Sequence, residues 1–85
     1  MRAALIEHDA TLWMRDDIPD RMVYNGRRWR VTDTPTRLRH SIWTIIEEGS
    51  GVYGWRFKAT DPSGDSRVFD VFKSESGWRV QHVYQ

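Results

Sequence analysis

The stretch GWRFKATDPSGDSRVFDVFK, residues 54–73, decides the fold of this 85-residue chain. In its first third Trp55, Phe57 and Ala59 alternate with Arg56, Lys58 and Thr60, the period of a strand with one apolar face. Asp61-Pro62-Ser63-Gly64-Asp65 is a turn: proline presets φ, glycine permits positive φ, and aspartate bonds nearby amides. Closing that turn with Thr60 opposite Ser66 places Trp55 across from Val71 and Phe57 across from Phe69. The other face then pairs Arg56 with Asp70 and Lys58 with Val68. A slip of one residue would break every match. A partly exposed Arg56–Asp70 pair contributes up to about 1 kcal/mol, and Trp55 reads as a core residue.

Working outward, the loop Ser74-Glu75-Ser76-Gly77 leads into a third strand, Trp78 to Tyr84, pairing Val71 with Val80 and Phe69 with His82. Upstream, Asn25-Gly26 between residues 21–24 and 27–32 is a strong signal for a hairpin with a type I′ turn. It sets Tyr24 opposite Arg27 and Met22 opposite Trp29. Thr11 to Arg15 reads as a shorter preceding strand, with Asp16-Asp17-Ile18-Pro19-Asp20 as its turn. Residues 33–51 connect these two meanders. Pro35 disfavours a helix at their start, and Ile42-Trp43-Thr44-Ile45-Ile46 favours a short strand over a helical turn. The expected fold is a single mostly-β domain over residues 1–85, with residues 1–9 loosely ordered. Six to seven short strands form a curved antiparallel sheet or open barrel.

A chain of 85 residues is too short to divide into two cored domains, and five Trp, three Tyr and three Phe supply much of its apolar area. With no cysteine it has neither disulfides nor a thiolate metal site, which suits a cytoplasmic location. The apolar run Ala3-Ala4-Leu5-Ile6 is too short for a signal-peptide core or a membrane span, so no membrane role is expected. The net charge of +1 is spread unevenly. Residues 1–20 carry two Arg against five acids, net −3. Residues 21–58 carry seven Arg and one Lys against three acids, net +5. The middle of the chain is where an anion would bind.

A Trp-Arg-apolar triplet occurs three times, at Trp29-Arg30-Val31, Trp55-Arg56-Phe57 and Trp78-Arg79-Val80. Strand alternation alone generates it, with Trp inward and Arg outward. The functional reading is that Arg28, Arg30, Arg56, Lys58 and Arg79 share an outer face that binds phosphates, with Trp43 stacking on a base. Arg28 and Arg30 are the best of these, because Arg56 has Asp70 opposite; Lys58 joins them only if the sheet closes. The three histidines, His8, His40 and His82, have no metal-ligand spacing, and His82 falls on the core face. Neither a nucleophile with a base at a recognisable spacing nor a glycine-rich phosphate loop is present. The residues thus suggest no catalytic site, metal or cofactor.

Two segments carry a resemblance. Asp17-Ile18-Pro19 followed by Tyr24 through Arg30, and Gly64-Asp65-Ser66-Arg67-Val68-Phe69-Asp70 followed by the Trp-bearing strand 77–84, resemble a small bacterial domain of unknown function. That domain occurs as a free protein and at the C-terminus of Y-family-polymerase-like mutagenesis proteins. The resemblance covers residues 11–33 and 52–84 and brings no catalytic residues. It implies a non-catalytic accessory or protein-interaction module, linked by context to DNA-damage tolerance, with an unidentified protein partner. The alternatives are a weak, non-sequence-specific nucleic-acid binder using the Arg-rich face and a small enzyme. The interaction reading expects an exposed apolar patch near Trp43 or Trp13.

Overall fold

A computed structural model describes residues 8–39, 53–74 and 77–84. Its regular elements are strands: β1 (His8–Arg15), β2 (Ile18–Tyr24), β3 (Arg27–Val31), β4 (Thr36–Arg39), β5 (Tyr53–Thr60), β6 (Ser66–Ser74) and β7 (Gly77–Tyr84). They hydrogen-bond in the order β3-β2-β1-β7-β6-β5, and β3 pairs again with β5. The mostly-β expectation therefore holds, and the sheet closes into a six-stranded antiparallel barrel with β4 as an additional strand on β5. Residues 1–7 and the expected strand at 42–46 lie outside the described residues. His8 and Asp9 belong to β1, opposite Val80 and Arg79.

Closure depends on how the outer edge of β5 is shared. β3 takes Ala59 and Thr60, while β4 takes Tyr53 to Arg56. Between them the Lys58 carbonyl accepts the Thr32 N–H at 2.8 Å, and the Lys58 N–H donates to the Asp33 carboxylate at 2.8 Å. A side chain thus replaces the backbone ladder where β3 leaves β5 and β4 arrives. An edge bonded in this way is a poor template for another chain.

The registers of the two marked hairpins are those expected. β5 and β6 pair Trp55 with Val71, Arg56 with Asp70, Phe57 with Phe69, Lys58 with Val68 and Thr60 with Ser66. β2 and β3 pair Tyr24 with Arg27 and Met22 with Trp29, around Asn25 and Gly26 at φ 54° and 74°. Positive φ at both central positions matches the strand twist, and Asn and Gly tolerate it best.

Two bulges depart from expectation. Phe69 lies opposite Val83, not His82, because Val71 pairs with Val80 and Asp70 with His82, leaving Gln81 as an extra residue in β7. One inserted residue reverses the faces beyond it. Val83 therefore packs on the core while His82 is exposed beside Asp70. In the first hairpin the turn is only Asp16-Asp17, both at positive φ (52° and 63°), and β2 resumes at Ile18. Trp13 then pairs with Arg21 and Met14 with Pro19, so Asp20 is the bulged residue.

The barrel interior centres on Phe57, Phe69, Val71, Val80 and Met22, all fully buried. Phe69 is the hub, meeting the rings of Trp29 at 4.8 Å and Tyr24 at 5.9 Å edge to face, an arrangement favoured by the ring quadrupoles. Of the three triplet tryptophans only Trp29 is buried. Trp55 and Trp78 pack against the core from its margin. Trp55 is therefore not the deep core residue expected, and the Arg37 guanidinium stands 5.2 Å from its ring centre. On the outer face, Gly54 lies opposite Phe72, whose ring would overlap any Cβ placed there.

Candidate functional site

Alternation puts Met22, Tyr24 and Trp29 inside, so Arg21, Val23, Arg28 and Arg30 line the outside of the β2–β3 hairpin. β1 extends this face. Thr11, Val23 and Arg28 form one cross-strand row, and Trp13, Arg21 and Arg30 form the next. Directly opposed side chains in such rows have Cβ atoms about 5 Å apart. Arg21 and Arg30 therefore place two positive charges side by side, an arrangement that costs free energy unless an anion relieves it. Arg21 touches Asp20 at 3.8 Å, while Arg28 and Arg30 have no ion pair among the described residues. The barrel seam brings β5 alongside. Arg30 faces Thr60, so Lys58 is its diagonal neighbour, about 7–8 Å away and somewhat less between Cβ atoms.

Trp13 completes the face. It is 44% exposed, with the Arg21 guanidinium 5.7 Å from its ring centre. A planar cation beside the indole restrains the ring while leaving apolar surface open to solvent. Of the sequence-predicted residues, Arg28, Arg30 and Lys58 are thus brought together. Arg56 is not among them, nor is Arg79, whose Nε lies 3.5 Å from Asp9 across the β1–β7 pairing, and Trp43 lies outside the described residues.

Arg56 is committed elsewhere. Its Nε and Nη2 donate to the two carboxylate oxygens of Asp70 at 2.7 and 3.0 Å, a bidentate fork. The Tyr84 hydroxyl donates to the same carboxylate at 2.8 Å, and the Arg56 guanidinium stands 5.2 Å from the Tyr84 ring centre. Hydrogen bonding to Asp70 is the main reason that the pKa values of both Arg56 and Tyr84 are raised. His82 Nδ1 is 3.8 Å from the same carboxylate, so its role is local to this network. A guanidinium whose Nε–Nη2 edge is forked onto a carboxylate has its charge largely offset, leaving a weaker field for a phosphate.

Arg27 is also structural. It reaches from the Asn25-Gly26 turn to Asp61 and Asp65 in the β5–β6 turn, at 3.3 Å each. Asp61 is buried and accepts from the Ser63 hydroxyl at 2.6 Å and from the Ser63 and Asp65 amides at 2.9 Å each. The Ser63 hydroxyl, helped by the two amides and Arg27, holds the Asp61 carboxyl below its usual pKa; burial opposes this. Of the three arginines in Arg27-Arg28-Trp29-Arg30, one locks two turns together and two are left for the solvent face.

An open cleft of about 310 Å³ lies at the end of the first hairpin, its apolar part made by Ile18, Pro19, Val31 and Pro35 and its rim by Arg15, Asp16, Asp20 and Asp33. Among the described residues no group of three or more His, Cys, Asp or Glu could hold a metal ion. Comparison with protein-family models, curated proteins and solved structures returns no match.

Proposed function

We propose that this domain is a non-catalytic accessory module that holds nucleic acid weakly and without sequence specificity through the outer face of β1, β2 and β3. The observation that carries the reading is the opposition of Arg21 and Arg30, with Arg28 and Lys58 beside them and, among the described residues, Asp20 as the one acid ion-paired with any of the four side chains. Phosphate is the anion that could bridge several such cations at once, and contacts to it carry no sequence information. The resemblance to a domain appended to damage-tolerance polymerases gives such a module a setting, in which it would keep a nucleic acid close to a catalytic partner.

The test is a salt titration of binding to fluorescent oligonucleotides. Neutralising three phosphates gives log K against log salt a slope of about −2 on single strands. Reversing charge with Arg28→Glu/Arg30→Glu should reduce affinity at least about tenfold and flatten that slope. Binding indifferent to the double reversal would leave the Arg row as sheet architecture. A second reading, a protein partner seated at the β1–β2 hairpin end, draws on Met14 and Ile18, which are 39% and 44% exposed there, with Ile18 lining the cleft.

A further inference from the structure

We infer that the ligand of this face is single-stranded nucleic acid, with one unpaired base stacked on Trp13 and its neighbouring phosphates on Arg21, Arg28 and Arg30. The inference rests on the reading above and specifies which polymer the face prefers. Its basis is that the exposed aromatic shares a cross-strand row with the opposed arginines. Adjacent strands lie about 4.8 Å apart, so Trp13 and Arg30, two strands apart, are separated by roughly 10 Å across the sheet. A strand running over the row would meet an aromatic platform and two cations in succession.

The chemistry of each position favours an unpaired base. An indole standing on the outer face of a barrel cannot reach the π-face of a base stacked inside a duplex, whereas single strands offer theirs freely. A duplex could satisfy the arginines but would leave Trp13 without a role. Arg21 is a positioning residue here. Its guanidinium lies beside the ring, limits the orientations that the indole must give up on binding, and stays close enough to contact a phosphate. The main alternative source of anionic groups is a lipid surface. It is disfavoured because the exposed Asp16 and Asp17 form the tip next to Met14 and Ile18 and would be pressed against lipid headgroups.

The experiment measures anisotropy of labelled oligo-dT and of a duplex of equal length, and co-sedimentation with phosphatidylserine-containing vesicles, all at low salt. Wild type, Trp13→Ala, Trp13→Phe and Arg28→Glu/Arg30→Glu are compared, with circular dichroism to verify folding. Wild type should bind oligo-dT more tightly than duplex. Trp13→Ala should weaken oligo-dT binding at least about fivefold while leaving duplex binding within about twofold, and Trp13→Phe should recover part of the loss. If charge reversal abolishes binding but Trp13→Ala affects neither polymer, the stacking inference is overturned and the basic-face reading stands. If charge reversal changes nothing, that reading falls and the inference with it. Vesicle binding that depends on Trp13, without nucleic-acid binding, overturns both in favour of a membrane.

Discussion

Removing Arg56 should cost more stability than removing its partner Asp70, although both deletions break the same pair. The Asp70 side chain is only 5% exposed and the Arg56 side chain is 48% exposed. Asp70→Ala frees a guanidinium and a Tyr84 hydroxyl that water can reach, so the loss is three charge-assisted hydrogen bonds less the desolvation that the carboxylate no longer suffers, about 1–2 kcal/mol. Arg56→Ala strands a nearly buried carboxylate with the Tyr84 hydroxyl and the more distant His82. An uncompensated charge in that position raises the cost to about 2–3 kcal/mol. The coupling between the two should be about 1–2 kcal/mol, above the value of up to 1 kcal/mol usual for an exposed cross-strand pair. Urea denaturation of the wild type, both single variants and the double variant, followed by circular dichroism with a common m value, measures all three quantities. Asp70→Ala costing as much as Arg56→Ala, or a coupling below about 0.3 kcal/mol, would refute the reasoning.

Other outcomes are equally open to measurement. Gly54→Ala should lower stability by about 2 kcal/mol or more, because its Cβ would overlap the Phe72 ring and lie 2.6 Å from the Val71 carbonyl oxygen; an unchanged melting temperature would contradict that packing. Phe69→Ala should cost about 3–5 kcal/mol, whereas Trp55→Ala, removing a ring from the margin of the core, should cost about 1–3 kcal/mol, the order being read from paired melts. Asp61 has a lowered folded pKa, so its contribution is fully present above the unfolded carboxylate value of about 3.9 and disappears as pH falls through the lower folded value. Asp61→Asn should therefore make the fall in stability between pH 5 and pH 2 shallower, with stability against pH as the measurement. Equal slopes would mean that the Ser63 and amide hydrogen bonds do not favour the ionised form.

The parts of the fold that could be read from sequence were those where turn chemistry and alternation agreed. Asn25-Gly26 and Asp61–Asp65 each fixed a register, and every pair derived from them is observed. What escaped was set by long-range fit. The bulge at Gln81 keeps Val83 on the barrel wall and moves His82 out, and no local feature of Trp78 to Tyr84 marks it. The bulge at Asp20 is equally silent, yet it aligns Trp13 with Arg21 and so assembles half of the candidate site. Arg21 was legible in principle, since the Asn25-Gly26 register already places it outside and opposite Arg30. Lys58 depended on whether β3 returns to β5, which is a property of the closed barrel and not of either strand.

The two seams that close the barrel also bear on how the chain folds and breathes. Arg30 and Thr60 meet across 30 positions of chain and His8 and Val80 across 72, and among the described residues neither ladder runs beyond three pairs. Hairpins zip from their own turns within microseconds, but contacts between distant segments must wait for the loop between them to be ordered. The meanders are therefore suited to form first as two leaves, with the β1–β7 seam last to join. In the native molecule the same shortness makes the seams the places where a small local opening would release amides to exchange long before the Phe69 hub is exposed.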